Sequence, residues 1–194
     1  MFITLFIAKD CPYCDQVKWL LLEKNIPYKE IELCLVKDKK FIMQHSPNGT
    51  LPILQERELY FYDARTIMFY IDERFPAPSL MPQYPVLKAK TRLALMRIDR
   101  DWYTILEMIM SKDNNADKAK SALIDSFKAI APIFAETDYF MSEELTLADG
   151  ALTILLKYLK LYGVSFESES KVQEYATRMF NRDSFLALSN NHQR

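Results

Sequence analysis

Cys11-Pro12-Tyr13-Cys14 is the stretch whose reading decides the fold. It follows a short β-rich run, Phe2 to Ile7, and precedes Asp15 to Glu23, where Val17, Leu20 and Leu21 share one helical face. The pair therefore sits where a strand ends and a helix begins. Free N–H groups and the helix dipole at that point stabilise a thiolate on the first sulfur. The second sulfur lies one turn on, placed to resolve a mixed disulfide. On a redox reading, Cys11 and Cys14 are the candidate catalytic residues.

Outward from this turn, Tyr28 to Leu33 alternates polar and apolar side chains and predicts a second strand. Lys37 to Gln44 predicts a short helix. SPNGTLPIL, residues 46–54, predicts a turn and a third strand, with Glu58 to Tyr62 as its antiparallel partner. Asp63 to Phe75 closes the unit as a helix, with Ile67, Met68, Ile71 and Phe75 at helical spacing. The order β-α-β-α-β-β-α, with the cysteines at its first turn, reads as thioredoxin-like. In such a unit Pro52 is expected in cis, leaving the backbone of Leu51 free to pair with an extended thiol peptide. The alternative is an ordinary edge proline.

Four prolines, Pro76, Pro78, Pro82 and Pro85, fall within FPAPSLMPQYP and cannot continue a helix. They mark a domain boundary. The expected division is a thioredoxin-like domain over 1–75, a proline-rich linker over 76–86 and an all-helical domain over 87–194. Leu87 to Met110 reads as helix, apolar at Leu93, Met96, Trp102, Ile105, Leu106 and Ile109. Asp117 to Phe134 and Thr146 to Tyr162 follow, then shorter helices over Lys171 to Phe180 and Ser184 to Leu188. The fold class is thus α/β plus all-α, a small mixed domain followed by a helical bundle.

Composition narrows the function. The 194 residues are 49% hydrophobic and 26% charged with a net charge of -1, so no bulk pull toward nucleic acid or anionic membrane is built in. With three glycines in all, no phosphate loop or GxGxxG fingerprint can be assembled. With two histidines, His45 and His192, HExxH and multi-histidine metal centres are excluded. Cys11, Cys14, Cys34 and His45 match no common zinc spacing, so no metal is expected, and Cys34 reads as a small core residue. MFITLFIAKD has no basic n-region and no cleavage site. The longest apolar run, Ala151 to Leu161, is broken by Lys157 and Lys160. A cytoplasmic protein with no membrane partner is expected. No DNA-reading motif is present, so independent sequence-specific DNA binding is not expected.

A thioredoxin-like unit, a proline linker and a helical domain together resemble a cytosolic glutathione transferase. TLPIL resembles its cis-proline strand, and Thr146-Leu147-Ala148-Asp149 its capped buried helix. The chain is more closely similar to the stringent starvation protein A family. That likeness rests on CPYC, NGTLP, YIDERFPAPSLMPQYPV, RLALMRIDRDWY, LTLAD and RMFNRDSF. The resemblance implies a non-catalytic transcription regulator of the bacterial stress and starvation response. Its expected partners are RNA polymerase holoenzyme with sigma factor, and a second identical or related chain in a dimer.

Several site residues follow from the resemblance. Pro76, Ala77, Pro78 and Tyr84 match the family's partner-binding positions, with Ala77 where some relatives carry His. Cys11, Leu51, Pro52, Asp63 and Ala64 match a vestigial glutathione site. Active transferases carry Ser where Ala64 stands, and Ala64 has no hydroxyl to donate to a γ-glutamyl carboxylate. No cofactor is expected. Cys14 makes a dithiol where relatives often carry Ser, so the alternative is a glutaredoxin-like oxidoreductase or glutathione transferase, with glutathione as cofactor. Lys88 and Arg92, four apart on one helix face, form a possible basic contact for sigma factor or DNA phosphate.

Overall fold

In the computed structural model, which describes residues 2–166 and 169–191, the chain forms two units. Among the described residues, one comprises 2–79 with 183–191, the other 80–166 with 169–182. His192 and the last two residues of the expected helical domain lie outside the described residues, as do residues 167 and 168.

The first unit runs β1 (Ile3–Ile7), α1 (Pro12–Glu23), β2 (Tyr28–Glu32), α2 (Lys39–His45), β3 (Ile53–Glu56), β4 (Leu59–Tyr62) and α3 (Ala64–Arg74). The sheet order is β2-β1-β3-β4, with β1 and β2 parallel and the other pairs antiparallel. Leu5 faces Leu54 across the β1–β3 ladder, and both are fully buried. This is the thioredoxin-like arrangement that the element order predicts. Gly49, at φ +68°, makes the turn before β3; a Cβ there would meet the Met43 sulfur at 3.0 Å.

Helix α1 is apolar on more than one side. Val17, Trp19, Leu20 and Leu21 are all fully buried, so the helix needs cover beyond the sheet and α3. The cover is α9 (Asp183–Asn191), which packs on α1 with Phe185 and Leu188 buried. Ser184 Oγ donates to Glu23 Oε2 at 2.6 Å. The sequence expectation placed this segment in the helical domain. Its helical period is legible, but the period does not say which surface it covers.

The second unit runs α4 (Pro85–Arg97), a π-helical segment Ile98–Tyr103, α5 (Thr104–Met110), α6 (Ala116–Ile130), a 3-10 turn Ala131–Ala135, α7 (Leu147–Leu161) and α8 (Ser170–Phe180). Pro85 opens α4 as its first residue, where a missing N–H costs nothing. The expected uninterrupted helix over Leu87 to Met110 instead widens at Ile98–Tyr103. Both adjacent aromatics there are buried. Trp102 Nε1 donates to Ser126 Oγ at 3.1 Å, and Tyr103 Oη to the Ala151 carbonyl at 2.9 Å. Of the apolar positions in this helical stretch, Leu93 and Met96 are 59% and 49% exposed; α4 buries Thr91, Ala94 and Leu95.

Helix α7 is the core of this unit, and its first turn carries the capping box that the sequence predicts. The Asp149 carboxylate is fully buried. It accepts from the N–H of Thr146 (2.8 Å), Thr146 Oγ1 (2.9 Å), the N–H of Phe140 (2.7 Å) and Tyr175 Oη (2.9 Å). Burial pushes the Asp149 carboxyl above its ordinary value, against the pull of these donors. Burial, and then the Asp149 charge, pushes the Tyr175 phenol well up. Asp149 is therefore more than a cap, because it joins α7, α8 and the preceding loop. Asp149→Ala is expected to lower stability in urea denaturation by at least about 3 kcal/mol, since each orphaned buried donor costs about 1–3 kcal/mol. A loss below about 1 kcal/mol would contradict this role.

Candidate functional site

Cys11 is the N-cap of α1 and Pro12 its first residue. The Cys14 N–H donates to the Cys11 sulfur at 3.2 Å. Cys14 is buried and Cys11 half-buried. Their Cα atoms are 5.2 Å apart and the sulfurs are paired as a disulfide. The Leu51–Pro52 peptide is cis, as the turn and proline predict. Leu51 carries its carbonyl to 4.0 Å from the Cys11 sulfur. The structure thus brings Cys11, Cys14, Leu51 and Pro52 to one place.

Asp63 caps α3, accepting from the Thr66 N–H at 2.8 Å, with φ at +70°. That backbone conformation is uncommon for a residue with a side chain and clusters at ligand sites. Ala64 is the first residue of α3 and is buried. The helix N-terminus, otherwise a ready carboxylate site, therefore carries a carboxylate of its own at Asp63 and no hydroxyl at position 64.

Cys34 is exposed, not a core residue; it follows β2, and its N–H donates to Asp38 Oδ2 at 2.8 Å. His45 stacks on Tyr60 with ring centres 3.7 Å apart. Among the described residues no cluster of His, Cys, Asp and Glu is arranged for a metal ion.

The proline segment has a support that sequence reasoning missed. Pro76, Ala77 and Pro78 are exposed, and the Ala77–Pro78 peptide is also cis. Beneath them is Lys24, the C-cap of α1, whose side chain has no exposed surface. Its ammonium pairs with Asp72 Oδ1 at 2.8 Å and donates to the carbonyls of Phe75 (2.7 Å) and Pro78. Ser79 Oγ donates to the other Asp72 oxygen at 3.5 Å. A lysine at the end of a helix ordinarily reads as solvated, and nothing local marks Lys24 as different.

In the second unit, Tyr84 is 76% exposed and precedes α4. Lys88 is half-buried and Arg92 exposed along that helix. Further on, Arg97 and Arg100 both pair with Asp101 and Arg97 lies over the Trp102 ring.

The cis-proline strand, the cysteine N-cap and the helical second unit define the glutathione S-transferase class. The family models of the glutathione S-transferase N-terminal and C-terminal domains match residues 5–79 and 93–183. A solved glutathione S-transferase from Rhodospirillum rubrum superposes with a TM-score of 0.87 at 20% identity, over 96% of this chain and 91% of that one. Within that class the chain belongs to the stringent starvation protein A family. It is 42% identical to the stringent starvation protein A homolog of Haemophilus influenzae, over 95% of this chain and 88% of that protein. A more distant relative is glutathione S-transferase DHAR2 of Arabidopsis thaliana, 28% identical over 92% of this chain and 84% of that one.

The state of the α3 N-terminus is open to a direct test. Ala64→Ser restores a donor, and one hydrogen bond to a charged group contributes about 1.5 kcal/mol, roughly tenfold in affinity. Isothermal titration is expected to show tighter glutathione binding by about that factor. Unchanged affinity would mean that Ala64 does not limit the site.

Proposed function

We propose that this chain is a non-catalytic regulator of transcription in the bacterial stress and starvation response, acting by binding RNA polymerase holoenzyme with its sigma factor. The observation that carries this reading is the 42% identity to a stringent starvation protein A homolog along nearly the whole chain. Local chemistry supports it. Pro76, Ala77 and Pro78 form an exposed turn, and prolines lose little rotamer entropy on binding. Tyr84 offers rigid amphipathic area. Lys88 and Arg92 supply positive charge for an acidic protein face or phosphate. The N-terminus of α3, carrying Asp63 and Ala64, speaks against glutathione chemistry.

The same reading takes the protein to be a cytoplasmic dimer, with an identical or a related chain. Val86, Leu93 and Met96 leave an exposed apolar stripe along α4 of the kind a second chain covers. No helix among the described residues is long and apolar enough to cross a membrane.

A second reading rests on the Cys11–Cys14 pair beside cis-Pro52 and on the likeness to DHAR2. It makes the chain a glutathione-dependent thiol oxidoreductase or transferase with Cys11 as nucleophile. Two variants separate the readings. Replacing Pro76, Pro78 and Tyr84 together by Ala is expected to weaken holoenzyme binding at least tenfold in biolayer interferometry, while Cys11→Ser stays within twofold of wild type. The opposite pattern supports the second reading: binding that survives the triple change, and disulfide-reductase turnover that Cys11→Ser abolishes.

A further inference from the structure

We infer that Lys24 is a positioning residue for partner binding: its buried ammonium fixes the Phe75–Pro78 turn in the conformation that the partner recognises. The inference rests on the reading of Pro76–Pro78 as a contact and names what holds that contact in shape.

The bonds from Lys24 reach both ends of the turn. Pro76 and Pro78 have no backbone N–H, and Pro76, Ala77, Pro78 and Ser79 are all exposed. The Phe75 N–H is used in closing α3, donating to the Ile71 carbonyl at 3.0 Å. Lys24 supplies bonds from below to both ends of the turn. An ammonium has three donors. Here one meets Asp72, one the Phe75 carbonyl and one the Pro78 carbonyl, so both the charge and all three protons are matched. Asp72 lies one turn before Phe75 on α3, and its second oxygen takes Ser79 Oγ. Both residues that bracket the proline pair are therefore tied to a single buried ion pair.

Geometry explains the choice of lysine. The three acceptors converge on one atom, Nζ. A compact ammonium on a flexible stem satisfies that arrangement, and the planar fork of arginine does not. The clamp also places the determinant of a surface property in the interior. Lys24 has no exposed side-chain surface and cannot touch a macromolecular partner. In a variant that still folds, an effect of Lys24 on affinity is therefore indirect, and the turn is what its two carbonyl bonds reach.

The test uses the full chain. Lys24→Met with Asp72→Asn removes both charges, leaves no unpaired buried ion, keeps an apolar stem and deletes the bonds to the two carbonyls. Lys24→Arg approaches from the other side, keeping the charge pair while its fork cannot converge on both carbonyls. Hydrogen exchange by mass spectrometry reads the segment 70–84, with β1 and α7 as internal references. Biolayer interferometry reads affinity for RNA polymerase holoenzyme.

For whichever variants retain a cooperative thermal transition, exchange in 70–84 is expected to rise at least tenfold with β1 and α7 unchanged. Holoenzyme affinity is expected to fall at least tenfold. Unchanged exchange in the segment overturns the inference. So does raised exchange with affinity within twofold of wild type while Pro76→Ala with Pro78→Ala weakens binding; in that case the contact stands and the clamp does not set it. If the proline variant also leaves affinity unchanged, the contact reading itself has failed and the inference falls with it.

Discussion

An ammonium withdrawn from water must find an acceptor for every proton and a counter-charge close by. In the first unit, meeting that demand at Lys24 determines how the chain leaves the α/β domain. Asp72 supplies the charge, and the carbonyls of Phe75 and Pro78 supply the remaining acceptors. The end of α3, the proline turn and the C-terminus of α1 are held by the same three bonds. The exposed face of the turn is left to its rings.

Helix α1 therefore has a different function at each end. Its N-terminus carries the cysteine pair beside the Leu51 carbonyl and cis-Pro52. Its C-terminus carries Lys24. The middle is buried on nearly every side, between the sheet, α3 and α9. The thiol end has the fold of the glutathione S-transferase class around it, and α3 begins with Asp63 as its N-cap and Ala64 as its first residue. The proline end is exposed, with the Lys24 ammonium bonded to the carbonyls of Phe75 and Pro78 beneath it.

What could be read from sequence and what could not divide along a physical line. The cysteine turn, the cis-proline at 52 and the Thr146–Asp149 box depend on spacings of one to four residues, and each is where the pattern puts it. The bracketing strands and helices follow from periodicity. Features that depend on distant partners were hidden. Lys24 looks solvated until Phe75 and Pro78, more than fifty positions on, are brought over it. The segment forming α9 shows its helical period and not its surface. Cys34 has the composition of a core residue and sits on an exposed turn. Leu93 and Met96 fit a helical stripe, but the stripe that is buried is the neighbouring one. One signal for α9 was present: a helix with Val17, Trp19, Leu20 and Leu21 spread over more than one side requires more cover than a sheet and one helix provide.

The most direct measurement of the central claim is the affinity of the unaltered protein for purified bacterial RNA polymerase, core and holoenzyme side by side, with glutathione-dependent disulfide reduction assayed on the same preparation. The account predicts binding that requires the sigma-containing holoenzyme, with no reductase turnover above background. Turnover without binding to either form of polymerase would contradict it and return the Cys11–Cys14 pair to the centre of the molecule's function.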